Sequence, residues 1–70
     1  MTHLLIENPI IIVVNLYNNF VECSVENMKI SEGSYTFEQA LDKVIKKLKL
    51  YKGVAFMEAN TPIYFMNDLR

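Results

Sequence analysis

The sequence is poor in the residues that mark disulfide-bonded, metal-binding or disordered proteins. Its 70 residues include one cysteine, one histidine, no tryptophan, two glycines and two prolines. A single cysteine excludes an internal disulfide and favours a reducing compartment, for which we predict the cytoplasm. The scarcity of glycine and proline, with a hydrophobic fraction of 51%, is typical of a folded chain.

The sequence has neither a large excess of acidic or basic residues nor an apolar segment of membrane-spanning length. The formal net charge of −1 gives no global attraction to nucleic acid or to a membrane surface. No run approaches the ~20 apolar residues that a membrane-spanning helix needs, and the first residues lack the basic segment of a signal peptide. We therefore expect a single domain over residues 1–70 with no membrane partner. The abundance of asparagine and isoleucine is typical of an AT-rich genome, such as that of a phage or mobile element.

No motif for catalysis or metal binding is present. The sequence lacks a glycine-rich phosphate loop and the common zinc-protease and serine-hydrolase motifs, and His3 stands without a set of ligands at metal-binding spacing. Cys23 falls on an apolar strand face, where burial raises the pKa of a thiol, so we interpret it as a core residue rather than a nucleophile. We therefore expect no enzyme activity, no catalytic residue, no metal and no cofactor.

The first predicted element is a β-hairpin in which residues 10–17 and 20–27 flank Asn18 and Asn19. Asparagine tolerates the positive φ that tight hairpin turns require. A two-residue turn fixes a register that places three apolar pairs on one face: Leu16 with Val21, Val14 with Cys23, and Ile12 with Val25. The second face pairs Tyr17 with Phe20, Asn15 with Glu22, Val13 with Ser24, and Ile11 with Glu26. We expect the first face in the core and the mixed second face outside it.

The clearest predicted element is an amphipathic helix that begins after Thr36 and ends at Gly53. Thr36 and Gln39 fit a capping box, in which the threonine accepts from the Gln39 amide and the glutamine side chain returns to the cap. Gly53 supplies the positive-φ residue that ends many helices. The apolar residues between them recur at helical spacing on one stripe: Phe37, Ala40, Leu41, Val44, Ile45, Leu48 and Tyr51.

The remaining segments predict turns and strands. Residues 31–34 are predicted as a turn, and residues 54–58 and 63–67 as a second hairpin around 59–62, with a further short strand at 3–7. The resulting order is ββαββ. We therefore predict an α+β fold, a small antiparallel sheet of four to five strands with one amphipathic helix packed on one face.

One segment resembles a known protein family. Residues 34–41 read Ser-Tyr-Thr-Phe-Glu-Gln-Ala-Leu and resemble the strand-to-helix junction of HicB-like antitoxins, where Gly-Asp-Thr-x-Glu-Glu-Ala-Leu opens the helix. The resemblance covers residues 20–48. The family's proline- and glycine-containing segment before this point is replaced here by residues 27–30. The resemblance implies a small regulatory binding protein.

The first functional hypothesis is a small non-enzymatic interaction protein, either a homodimer or an inhibitor or adaptor of a partner protein. It would act through the second sheet face or a sheet edge, because contiguous exposed apolar residues mark interfaces and free edges accept strands. The predicted contacts are Ile11, Val13, Tyr17 and Phe20. Coverage of that face by the N-terminal segment and by sheet twist is the alternative.

The second hypothesis is a nucleic-acid-binding regulator that contacts phosphates through lysines of the helix. Several lysines within two turns can release counterions from nucleic acid. The candidates are Lys43, Lys46, Lys47 and Lys49. The competing interpretation is that these lysines complement the helix dipole, since Glu38 and Asp42 lie near the other end. The absence of arginine from the cluster and the net negative charge favour the structural role.

Overall fold

The computed structural model describes residues 9–70, which form a mixed four-stranded sheet and two helices. The elements are β1 Ile11–Tyr17, β2 Phe20–Val25, β3 Ile30–Ser34, α1 Phe37–Lys52, α2 Val54–Ala59 and β4 Ile63–Asp68. The strand order is β3-β2-β1-β4, with β4 parallel to β1 and the other pairs antiparallel. The predicted α+β fold with a helix on the sheet is confirmed, but the predicted all-antiparallel sheet is wrong. The predicted strand at 3–7 lies outside the described residues.

The β1–β2 hairpin forms in the predicted register. Val14 lies opposite Cys23, and the Glu26 amide donates to the Ile11 carbonyl at 2.9 Å. The turn residues Asn18 and Asn19 do not take the positive φ that we expected. Among residues 9–70, the only non-glycine residue with positive φ is Asn27, at 70° in the β2–β3 turn. The register therefore follows from the loop length and the apolar pairing.

The core lies between one sheet face and α1, which packs over β2 and β3. Five of the six strand side chains predicted for this face are buried, and Leu16 is partly buried. The three central residues of the helix stripe, Ala40, Val44 and Leu48, are also buried. Phe37, Leu41 and Ile45 pack at the margin of this core. Tyr51, which we predicted in the stripe, is exposed in the last turn. The core thus extends over the first three turns of α1.

The N-terminal cap of α1 follows half of the predicted capping box. The Thr36 hydroxyl accepts from the Gln39 amide at 3.2 Å, as expected. The Gln39 side chain does not return to the cap; its Oε1 accepts from the Ser34 hydroxyl at 2.9 Å. The box therefore joins the helix start to the end of β3.

Residues 31–34, predicted as a turn, belong to strand β3. The turn lies earlier in the chain, where the Met28 amide donates to the Val25 carbonyl at 3.2 Å and Asn27 takes its positive φ. The chain has therefore already reversed direction at Ile30 and continues as a strand paired with β2. The serine, glutamate and glycine residues of this segment are common in turns, so composition alone could not distinguish this edge strand from a turn.

Residues 54–58, predicted as a strand, form most of the short helix α2. A short, largely apolar run fits a strand or a buried helical turn equally well. Alanine, methionine and glutamate at positions 55 and 57–59 favour the helix. With no strand at 54–58, β4 pairs with β1 instead. This parallel pairing requires a long crossover, which α1 and α2 provide.

Gly53 connects the two helices and has a backbone conformation that only glycine adopts readily. Its φ is 86° and its ψ is 161°, a region that costs other residues about 1–3 kcal/mol. A Cβ at this position would meet no atom within 4 Å, so the penalty is confined to the backbone.

We predict that Gly53→Ala lowers the free energy of unfolding by about 1–3 kcal/mol. D-alanine at position 53 of a chemically synthesised chain should restore stability, because positive φ is favourable for a D-residue. Urea unfolding followed by circular dichroism measures both. Equal midpoints for glycine and L-alanine would show that the junction is not under this constraint.

Candidate functional site

The sheet face opposite α1, which we call the open face, has no helix packed on it in the part of the chain that the structure describes. Alternate side chains of a strand point to opposite faces. Parallel pairing of β4 with β1 places Ile63 beside Ile11 and Phe65 beside Val13. The open face therefore carries the four predicted contacts and two further apolar residues: Ile11, Val13, Tyr17, Phe20, Ile63 and Phe65.

These apolar side chains are accessible to a partner. Tyr17 and Phe20 are 40% and 45% exposed, and Phe65 is 55% exposed. Ile11 and Val13 are half-buried between their neighbouring strands. Exposed apolar groups of this kind on one face of a small domain mark an interaction surface.

A row of polar side chains crosses the open face and uses one residue from each strand. Asn67 Nδ2 donates to Asn15 Oδ1 at 2.9 Å, and Asn15 Nδ2 donates to Glu22 Oε1 at 3.1 Å. Ser31 Oγ donates to the other carboxylate oxygen of Glu22 at 3.1 Å. We call these four residues the polar row. It separates the apolar patch of β1 and β4 from the aromatic pair Tyr17 and Phe20, so apolar anchors flank fixed polar groups, as in many protein interfaces.

Phe20 also has a structural role within the sheet. Its ring lies directly over Gly33 of β3, so a Cβ at position 33 would collide with the ring. An aromatic side chain that covers a glycine in this way shields the bare backbone of an edge strand. The Tyr17 ring lies beside it, with centroids 6.1 Å apart. Among the four predicted contacts, Phe20 therefore also packs within the protein itself, against Gly33.

Three of the four lysines predicted to bind nucleic acid have partners within the fold. Lys46 pairs with Asp42 one turn earlier, at 3.0 Å. Lys43 Nζ donates to the Gly33 carbonyl at 3.2 Å, and Lys47 pairs with Glu32 at 2.6 Å. The hydrogen bond to Glu32 and its charge raise the pKa of Lys47. Two of these lysines thus tether α1 to β3, and Lys49 lies in the last helical turn.

Cys23 is buried opposite Val14, as predicted. Desolvation by burial, followed by the nearby charge of Glu22, raises the pKa of its thiol. The thiol therefore stays protonated at neutral pH, a state with little nucleophilicity. Between residues 9 and 70 there is no cluster of three or more histidine, cysteine or acidic residues that could hold a metal ion. His3 lies outside the described residues.

Comparison with known proteins finds no protein-family model, no curated protein and no solved structure that matches the chain. The segment that resembles HicB-like antitoxins, residues 34–41, runs from the last residue of β3 into α1, so it does lie at a strand-to-helix junction. Neither helix of the described chain has the length and apolar character needed to cross a membrane. The open face is therefore the feature from which a function can be argued.

Proposed function

We propose that this chain is a small non-enzymatic interaction protein that binds the apolar surface of a partner protein through its open face. The observation that supports the proposal is the convergence of six apolar side chains from three strands on a face that no described element covers. Such a domain acts by occupying its partner's surface, which is how an inhibitor or an adaptor works. Ile11, Val13, Tyr17 and Phe20 remain the proposed contacts, now joined by Ile63 and Phe65.

The open face also defines the chemistry of a suitable partner. Full burial of one large apolar side chain contributes about 1.5–3 kcal/mol. All six anchors together contribute at most roughly 9–18 kcal/mol. After the association cost of about 4 kcal/mol or more is subtracted, a micromolar complex therefore needs most of the six, not one or two. The carboxylate of Glu22 lies in the middle of the face and accepts hydrogen bonds. The partner surface should therefore combine apolar side chains with a hydrogen-bond donor or a cation opposite Glu22.

Site-specific photo-crosslinking tests this proposal. Tyr17 is replaced by the photoreactive residue benzoylphenylalanine in cells that make the chain naturally, and the matched control carries the same replacement at Tyr51, which is 70% exposed on α1. We expect irradiation to join a specific protein to position 17 and not to position 51.

The identity of the adduct then separates the versions of the proposal. A product of twice the chain's mass would make a second copy the partner at this face, whereas any other discrete product would indicate an inhibitor or adaptor. Equal products from both positions, or none from position 17, would contradict a binding role for the open face.

A further inference from the structure

The two edge strands of the sheet differ in how they are protected. Hydrogen bonds of β2 alternate between β1 and β3, and the bond from the Glu26 amide to Ile11 sets this alternation. As a result, the backbone groups of Ser31 and Gly33 point away from the sheet along the β3 edge. The Gly33 carbonyl accepts a hydrogen bond from Lys43, and the neighbouring Glu32 forms an ion pair with Lys47. Lysines placed along an edge disfavour strand addition, so we infer that the β3 edge is closed to a second chain.

Along residues 63–67 the β4 edge carries no charged side chain, and the ion pair between Asp68 and Arg70 lies at its C-terminal end. The Ile63 amide donates to Ile10 at 2.7 Å and the Leu69 amide to Leu16 at 2.8 Å, so the odd-numbered residues of β4 bond to β1. The N–H and C=O groups of the even-numbered residues therefore point outward: Tyr64, Met66 and Asp68. An apolar edge strand of six residues with outward donors and acceptors is a template for another strand.

The side chains of β4 are apolar on both faces and stay half-exposed. Ile63 and Phe65 lie on the open face, while Tyr64 and Met66 lie on the helix side. Strands with apolar side chains on both faces are typical of sheets that are covered on both faces. On the helix side the Phe37 ring lies against Tyr64, with the ring centroids 6.0 Å apart. β4 thus has the composition of an interior strand at an edge position.

We propose that a second copy of this chain pairs with this edge, β4 against β4 in antiparallel orientation, to form one eight-stranded sheet. A two-fold axis would give each outward donor an acceptor on the partner, and would place the two Asp68 side chains at opposite ends of the pair. Since the β3 edge is closed, addition stops at two chains instead of continuing into a fibre. This inference rests on the proposed function in one respect. If the open face binds a partner, the dimer would present two open faces on the same side of one continuous sheet.

Light scattering of the purified full chain across micromolar concentrations tests the proposal. We expect a mass of twice 8.1 kDa. Met66→Pro removes one outward N–H and leaves the bonds between β4 and β1 in place, so it should weaken the dimer at least about tenfold. Met66→Lys, which adds an edge lysine without changing the backbone, should do the same. Val13→Glu alters the open face alone and should leave the dimer intact.

Each outcome decides between the edge and the face. A chain of single mass throughout would overturn the edge proposal and leave partner binding by the open face standing. A dimer that survives both Met66 variants but is lost in Val13→Glu would move the contact to the open face. Growth beyond two chains would contradict the closed β3 edge. If circular dichroism shows that Met66→Pro is unfolded, Met66→Lys gives the answer.

Discussion

Leu48→Ala should leave the protein largely unfolded, whereas Leu50→Ala should not change its stability. The two leucines lie in the same helix, but Leu48 is fully buried and Leu50 is 83% exposed. Removal of a buried leucine side chain costs about 2–5 kcal/mol, because the lost contacts leave a cavity. A domain of this size has a total stability of only about 3–5 kcal/mol, so the loss removes most of it.

The pair of variants is informative because the change in helix propensity is nearly the same at both positions. The difference between them therefore reports packing against the sheet. Urea unfolding followed by far-ultraviolet circular dichroism measures it. The urea midpoint of Leu50→Ala should match the wild-type value. Leu48→Ala should be largely unfolded even without urea, and so should show little or no cooperative transition. Equal midpoints for the two variants would mean that α1 does not pack on the sheet as described.

The sequence predicted those parts of the fold that local rules determine. The hairpin register follows from a period of two and a short loop, so the residue pattern alone assigns Ile12, Val14 and Cys23 to one face. The helix follows from Thr36, Gly53 and the apolar stripe between them. Both predictions depend on residues that are close together in the chain.

The errors arose where contacts between distant segments decide the structure. Gly33 can lie in a strand because the Phe20 ring covers it from β2. Residues 54–59 become a helix, and β4 reaches β1 by a crossover that nothing in residues 63–68 signals locally. The pattern of β1 did indicate a second neighbouring strand, because apolar residues on both faces are typical of a central strand.

The candidate site was predictable in part for the same reason. The register of the hairpin already placed Ile11, Val13, Tyr17 and Phe20 on the second face. Ile63 and Phe65 join them only through the parallel pairing of β4. The partners of Lys43 and Lys47 lie on β3, which was predicted as a turn, so the tethering of these lysines could not be foreseen.

The open face and the β4 edge are continuous, because Phe65 belongs to both. Association at the edge would place two open-face patches side by side without covering either. A partner could then bind across both copies, and two linked sites raise avidity without new contacts. Self-association and partner binding are therefore compatible in one molecule, and variants at Met66 and Val13 separate them.

Val13→Glu tests whether the open face is the binding surface. Val13 lies in the middle of β1 between Ser24 on one side and Phe65 on the other. A glutamate there stays hydrated in the free protein but must lose water or clash when an apolar partner surface covers it. The expected cost is at least about 2 kcal/mol, or roughly thirtyfold in affinity. Leu50→Glu introduces the same charged side chain at an exposed position of α1.

The direct measurement is quantitative affinity capture from cells that make the chain, with wild type, Val13→Glu and Leu50→Glu compared side by side. Circular dichroism first establishes that all three are folded, and Tyr17→Glu, on the open face away from β4, replaces Val13→Glu if the latter is not. We expect that the protein that cross-links to position 17 is retained by wild type and Leu50→Glu and lost from Val13→Glu. Retention of that protein in equal amounts by all three chains would contradict the proposed binding role of the open face.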